Sequence, residues 1–328
     1  GGNPPDVLWV DSTMTTSYGD QGLISSLEPY LTEEDKEDFY PAPREDMTYE
    51  GEVQSLPLHQ STEALVYIHS VIEEAGVTPP TSYEDSWTWD EMVEAMHQVQ
   101  DSGVQWGLSP TYGIGQYSVY PLVYSQGGSV YNQETNEFAG YLDSPETIDA
   151  VRKWGELYTE EGLSPVDILP DMLGTEQLAF QQANPFTVVD IMNNYPDLEV
   201  NAAPLPCDER CAVASGGWHV GISRASEHQE EAWELVNALA GTEGAATWSE
   251  LTHYLPARMS AYEANQEWIE EAPWSIFWEG LLDHAQPHVR GRTHLQGDLL
   301  GGDPLQKRGV LHRAHPVAHP VGLQLVQA

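Results

Sequence analysis

The 328-residue chain is longer than a single hydrophobic core usually organises, so two lobes are expected. Its 52 Asp and Glu against 12 Lys and Arg leave a formal net charge of −40, which excludes a nucleic-acid partner because a phosphate backbone would be repelled at every approach. Hydrophobic residues still make up 40%, which excludes a disordered acidic chain, and no run of about 18 apolar residues is present to cross a membrane.

In chain order, Asp6 to Val10 reads as a buried strand, and the small polar residues Asp11, Ser12 and Thr13 after it suit a helix start. A strand end meeting a helix start is a ligand-binding place in α/β folds. A second strand ends near Leu56-Pro57, and a third, Glu63 to His69, runs into Ser70-Val71-Ile72-Glu73, a capping box closed by Gly76. Thr88-Trp89-Asp90-Glu91 is a further box, opening a helix that Gly103 stops. Ser144-Pro145 opens a long helix with apolar Ile148, Val151, Leu157 and Tyr158 near helical spacing, ended by Gly162. Leu198 to Ala203 and His219 to Ile222 are strand-like, and Ser226 to Gln229 forms a box that starts a helix through Ala240, with Gly241 after it. The sum is α/β, mostly helix over short strands. From residue 290 onward Arg290, Arg292, Lys307, Arg308 and Arg313 outnumber Asp298 and Asp303, and Ala-His-Pro-Val occurs twice, at 314–317 and 318–321. That basic His-, Pro- and Gly-rich tail is read as a segment outside the fold, of the kind a shifted reading frame in a GC-rich gene would produce.

Three compositional features bear on function. Only Lys36, Lys153 and Lys307 are lysine, and so many carboxylates on a foldable chain suit a surface that stays hydrated in concentrated salt, where the Debye length is about 3 Å or less; a halophilic source is expected. The 11 Trp and 16 Tyr against 5 Phe are rings with a polar handle, suited to a cleft that stacks on sugar rings or simply to a salt-adapted surface. Cys207 and Cys211 cannot make a zinc site alone; their three-residue gap closes into a small disulfide loop where the compartment is oxidising.

Most catalytic signatures are absent. There is no phosphate-cradling Gly-rich loop ending in Lys, Gly113-Ile114-Gly115 lacks the third glycine of a dinucleotide site, and no Gly-x-Ser-x-Gly elbow occurs. His284 and His288 have metal-ligand spacing on a helix, but Pro287 lies between them and no third ligand is near, so no metal and no cofactor is expected.

The order of short motifs is more informative. Pro5-Asp6-Val7-Leu8-Trp9-Val10, Asp38-Phe39-Tyr40-Pro41, Leu56-Pro57, Ala64-Leu65-Val66-Tyr67, Thr88-Trp89-Asp90-Glu91, Gln126-Gly127-Gly128, Ser144-Pro145-Glu146, Ala203-Pro204-Leu205-Pro206, Gly216-Gly217-Trp218, Ala232-Trp233-Glu234 and Tyr254-Leu255-Pro256-Ala257-Arg258 follow one another. In this the chain resembles, over about residues 4 to 288, the extracellular solute-binding proteins of ABC importers, in their sugar-binding branch. The resemblance implies a two-lobe periplasmic-binding-protein type II fold with a hinged interlobe cleft and an incomplete first lobe, since the family begins with a further strand, helix and strand and, before them, a leader. It places residues 1–61 plus 217–255 in the first lobe, 62–216 plus 256–288 in the second, and 289–328 outside the fold. The chain would cross between lobes near Ser61 to Glu63, Ala214 to Gly217 and Leu255 to Arg258.

The same resemblance implies a non-enzymatic receptor that closes on a carbohydrate and delivers it to permease subunits, outside the cell, as a monomer, with membrane association only through a lipid anchor in the absent leader. The family's contacts carry over to Asp11, Ser12 and Thr13, to His59, Gln60, Ser61 and Thr62, to Tyr117, Asn184 and Phe186, and to Trp218, Tyr254 and Arg258. Ser61 stands where the family often has Asp, and Ile68-His69 where it has an Asn-Lys pair, so the sugar itself does not carry over. Trp9 is read as strand core rather than ligand platform, Gly216-Gly217 equally as a hinge, His59 equally as a structural histidine, and Tyr254 and Arg258 equally as supports of the third crossing. A binding protein of this fold for polyamine, peptide or iron, and a secreted glycoside hydrolase, are the alternatives.

Overall fold

The computed structural model describes residues 4–111, 113, 115–132, 135, 137–167 and 171–286. The basic tail, His288 and Ile114 lie outside the described residues. The chain opens with β1 (Val7–Asp11), a 3-10 turn at Ser12–Met14, α1 (Thr15–Asp20), α2 (Glu33–Glu37), α3 (Pro41–Asp46) and a small hairpin of β2 (Thr48–Tyr49) and β3 (Glu52–Val53). Next come β4 (Leu56–Thr62), β5 (Ala64–Ile68), α4 (His69–Glu74), α5 (Trp89–Asp101), β6 (Trp106–Pro110), α6 (Gln116–Ser125), α7 (Pro145–Thr159), β7 (Leu178–Ala183), α8 (Pro185–Asn194) and β8 (Val200–Ala203). The long β9 (Val213–Ile222) leads into α9 (Gln229–Ala240), α10 (Thr242–Thr252), α11 (Met259–Ile269), α12 (Trp274–Glu279), a π turn at Gly280–His284 and β10 (Ala285–Gln286).

These strands form two four-stranded sheets besides the hairpin. In the first, β9 is central, antiparallel to β1 and to β4 and parallel to β10. In the second the order is β6-β7-β5-β8, with β5 antiparallel to both neighbours and β6 parallel to β7. Each sheet has its own apolar cluster, Leu27, Phe39, Met47, Leu56, Leu58 and Val236 among the residues of one and Leu65, Ile68, Met96, Leu108, Trp154 and Phe180 of the other. The chain passes from the first sheet to the second within one residue, Glu63, between β4 and β5. Two further stretches lie beside that passage: Thr62 pairs with Ser215 of β9, and Gln60 N donates to the Leu255 carbonyl at 2.8 Å.

Local signals govern several helix ends as expected. Thr88 and Glu91 exchange both arms of a capping box, Ser144 Oγ accepts from Thr147 N, and Gly103 and Gly162 stop their helices with φ of +113° and +63°. Elsewhere tertiary partners override them. The strand assigned to end at Leu56-Pro57 begins there, because β4 must run on to pair with β9. Ser70 caps nothing: α4 starts at His69 directly off β5, and Ser70 Oγ donates instead to Glu176 Oε1 at 3.2 Å. The Ser226 box does not close either, since α9 starts at Gln229 with no side-chain cap while Ser226 Oγ donates to Asp6 Oδ1 at 2.5 Å. On α7 the buried face is Thr147, Ala150, Trp154 and Leu157, which leaves Ile148 and Val151 exposed. The first strand is not buried: of β1 only Val10 is, because β9 is its sole partner strand among the described residues.

Candidate functional site

The site is built on the ladder around β9. Trp218 pairs with Asp11 on one side and with His59 on the other, and Gly217 and Gly216 face Gln60 and Ser61. A Cβ at Gly217 would stand 2.2 Å from the His59 carbonyl oxygen, so only glycine lets β4 and β9 approach this closely beside Trp218.

From this row an unbroken run of rings extends. Trp218 lies 6.3 Å from Trp9 between ring centres, Trp9 lies 5.9 Å from Trp248, and Trp248 lies parallel to His59 at 6.4 Å. His59 stacks on Tyr254 at 4.4 Å, and Tyr254 lies 6.3 Å from Phe186, the second residue of α8. The run therefore starts on the first sheet, passes over the stretch at 254–255, and ends on a helix packed against the second sheet. Trp9, Trp218 and Phe186 keep 50%, 43% and 44% of their surface exposed, a large wet aromatic area on a chain whose other rings are mostly covered.

Polar groups lie behind the rings. Ser12 Oγ, His59 Nδ1, Gln60 Nε2 and His219 Nε2 are buried and have no hydrogen-bond partner in the protein. His219 Nδ1 is 2.9 Å from Ser55 Oγ, which in turn is 3.1 Å from Thr15 Oγ1. Burial pushes both imidazoles down to about 3, the neighbouring His59 adding to the effect on His219, so each is neutral at ordinary pH. Burial also raises the Tyr254 hydroxyl to about 12.

The residues expected from the sequence divide by what holds them. Asp11, His59, Gln60, Ser61 and Trp218 come together on three adjacent strands, with Ser12 and Thr13 directly after the first. Asp11 Oδ1 accepts from both the backbone N and the hydroxyl of Thr13, at 3.0 and 2.5 Å. Tyr117 joins them from α6, its hydroxyl donating to the Ser61 carbonyl at 3.3 Å. Asn184 acts as the cap of α8, its Oδ1 accepting from Phe186 N at 3.1 Å, and so aims the Phe186 ring toward Tyr254.

Two expectations are corrected. Arg258 is only 1% exposed, lies over the Phe39 ring at 4.0 Å, and donates to Asp38 Oδ2 at 3.1 Å and to the Ala240 carbonyl at 3.0 Å. A buried guanidinium must have its donors satisfied, and Arg258 spends them bracing the 257–258 stretch rather than facing the rings. Thr62 is fully buried with its hydroxyl donating to the Ala214 carbonyl at 2.8 Å, which braces the passage between sheets. In the other direction, Trp9 belongs to the exposed run and not to a core, and Trp248 and His219 were missed. Trp248 sits inside an ordinary helical stretch with no local mark of a site, whereas the half-wet state of Trp9 follows from β1 having one partner strand.

At the passage itself Glu63 is completely buried. Its Oε2 accepts from Gln182 Nε2 at 2.8 Å, and burial raises its pKa to about 8. The described residues hold no group of His, Cys, Asp and Glu able to bind a metal ion; His284 packs on the Tyr83 ring at 4.4 Å.

Two sheets with separate cores, joined by adjacent chain passages beside a run of rings of which Trp9, Trp218 and Phe186 are exposed, describe a two-lobed binding protein. Residues 1–274 match the family of bacterial extracellular solute-binding proteins, and the chain belongs to that family. Among curated relatives, the maltotriose-binding protein of Pyrococcus abyssi is 26% identical over 152 residues, 46% of this chain and 30% of that protein, so the chain spans about a third of its length in the alignment. Among solved structures, an ABC transporter solute-binding protein of Thermotoga lettingae bound to α-D-tagatose superposes with a TM-score of 0.78 at 22% identity, covering 90% of this chain and 77% of that one. Maltose-bound MalE3 of T. maritima superposes with a TM-score of 0.76 at 21% identity, over 89% and 76%. The fold is thus that of the two-lobe periplasmic-binding-protein type II class.

Proposed function

We propose that this protein is the substrate-binding component of an ABC importer, which closes on a carbohydrate between its lobes and passes it unaltered to the permease. The observation that carries the reading is the aromatic run from Trp218 through Trp9, Trp248, His59 and Tyr254 to Phe186, which borders both sheets. Flat rings stack on the C–H faces of pyranoses, and a few convergent polar groups fix orientation by pairing with hydroxyls. Asp11, Thr13 and Ser61, half-buried on or directly after the strands that carry Trp9, Trp218 and His59, supply such groups. The imidazoles are neutral, which suits an uncharged guest.

In this reading the first lobe is built on the sheet of β1, β9, β4 and β10 and the second on the sheet of β6, β7, β5 and β8, and the contacts are Asp11, Ser12, Thr13, His59, Gln60, Ser61, Tyr117, Asn184, Phe186, Trp218 and Tyr254, with Trp9 and Trp248 added. Closure about the passages buries the guest, and the closed form is what the permease recognises. The protein works outside the membrane as a monomer; the disulfide between Cys207 and Cys211 supports an oxidising compartment.

Titration calorimetry with maltotriose, maltose, tagatose and spermidine tests the reading. One of the sugars binds with 1:1 stoichiometry, and Trp218→Ala weakens it roughly tenfold or more, as loss of a stacking face costs about 1.5 kcal/mol. Tight binding of spermidine with indifference to the sugars would make the guest a polyamine, and turnover of the oligosaccharide would make the protein an enzyme.

A further inference from the structure

Glu63 is the one residue between β4 of the first sheet and β5 of the second, and its side chain has no exposure to water. Gln182 Nε2 donates to Glu63 Oε2 at 2.8 Å, and the same nitrogen donates to the Ser118 carbonyl at 3.0 Å. Gln182 stands on β7 two residues before Asn184, which caps the helix carrying Phe186; Ser118 follows Tyr117 on α6. One carboxyl thus ties together, through a single amide, the passage between sheets, the strand that leads to Phe186 and the helical turn that carries Tyr117. Glu63 Oε1 has no partner in the protein. An ionised carboxylate in that place would be a bare charge with one donor, whereas a protonated one is a neutral group of the same shape.

We propose that uncharged Glu63 is a positioning residue that holds Tyr117 and Phe186 in place as the second lobe's share of the ligand wall, and that the protein captures its ligand only while this carboxyl keeps its proton. The inference rests on the carbohydrate-binding reading for its ligand, not for its geometry.

The proton on Glu63 is governed by burial, opposed only by the Gln182 bond; no charged side chain of α6, β7 or β9 acts on it. The titratable groups of the aromatic run do not change charge between pH 6 and 9, since His59 and His219 titrate near 3 and Tyr254 near 12. A carboxyl whose pKa rises on folding stabilises the protein fully below its unfolded value, and that contribution is lost as pH rises through about 8.

Wild-type protein and Glu63→Gln are titrated with maltotriose, or with maltose or tagatose where that sugar binds, from pH 6 to 9. In the wild type about half of the molecules keep the proton at pH 8 and about one in ten at pH 9, so the apparent Kd is about doubled at pH 8 and about tenfold higher at pH 9, while Glu63→Gln, neutral throughout, changes less than twofold. A flat wild-type profile, or an equal rise in both proteins, overturns the proposal. Should the variant fail to fold, the wild-type profile decides by itself. Should no sugar bind at any pH, the carbohydrate reading falls, and Glu63 is judged by thermal unfolding without sugar: the wild type should lose melting temperature from pH 6 to 9 more than Glu63→Gln, and equal losses would refute its role.

Discussion

His59 and His219 show how much one residue's surroundings decide. Their positions in the sequence say nothing of charge, yet desolvation holds both imidazoles near 3 instead of near 6.5. The folded protein keeps them neutral while the unfolded chain takes up protons below about 6.5, so their contribution to stability is present above that pH and is lost as pH falls toward 3. Circular dichroism melts between pH 7 and 4 should show a falling melting temperature, with a smaller fall in His219→Asn, which cannot be protonated there. Melting curves of the two proteins that shift in parallel would show that the histidine carries none of the acid sensitivity. Arg258 makes the complementary point: a cation in a family motif next to Tyr254 reads as a contact, but its direction is set by Phe39, Asp38 and the Ala240 carbonyl.

At the scale of elements, a capping signal succeeds where its partner groups lie within one turn and fails where a distant chain competes. Thr88 and Glu91 find each other, whereas Ser70 and Ser226 are drawn away by Glu176 and Asp6. The loop closed by the Cys207–Cys211 disulfide is an element of the second kind, built wholly from tertiary contacts. Arg210 donates to the carbonyls of Tyr124 and Gly128, Asp208 N donates to Ser125 Oγ, Glu209 N donates to the Ser125 carbonyl, and Asp208 Oδ2 accepts from Gln126. The loop therefore fastens the C-terminus of α6, the helix whose first turn presents Tyr117. Closing so short a loop restricts the unfolded chain by roughly 2 kcal/mol. Reduction with dithiothreitol, or the Cys207→Ser and Cys211→Ser double substitution, should lower the melting temperature by about 4 °C. No change on reduction would mean that the hydrogen bonds alone hold the loop.

For the whole molecule the governing quantity is charge. Lys36 is engaged by Glu28 and Glu33, Arg152 by Asp149 and Glu156, and Arg258 by Asp38, which leaves a large excess of carboxylates facing one another through water. Such self-repulsion opposes the compact state and is screened over about 10 Å at 0.1 M salt but about 3 Å at 1 M. Raising KCl from 0.1 to 2 M should therefore increase the melting temperature by several degrees, and a melting temperature that stays level or drops would exclude repulsion as a destabilising force.

The amino-acid order alone determined the acidic charge balance, the α/β alternation, the family and the helix ends whose signals act within a turn. Asp11, His59, Ser61 and Trp218, expected as contacts from the family resemblance, fall on one ladder of three adjacent strands. Only the tertiary structure decided that Trp9 is wet, that Trp248 joins it, that Arg258 faces inward, and that Glu63 is sealed beside Gln182. The reason is physical: burial and strand register depend on partners more than a hundred residues away, such as Glu63 with Gln182 or Trp9 with Trp218, and no local propensity records which distant surface will cover a given side chain.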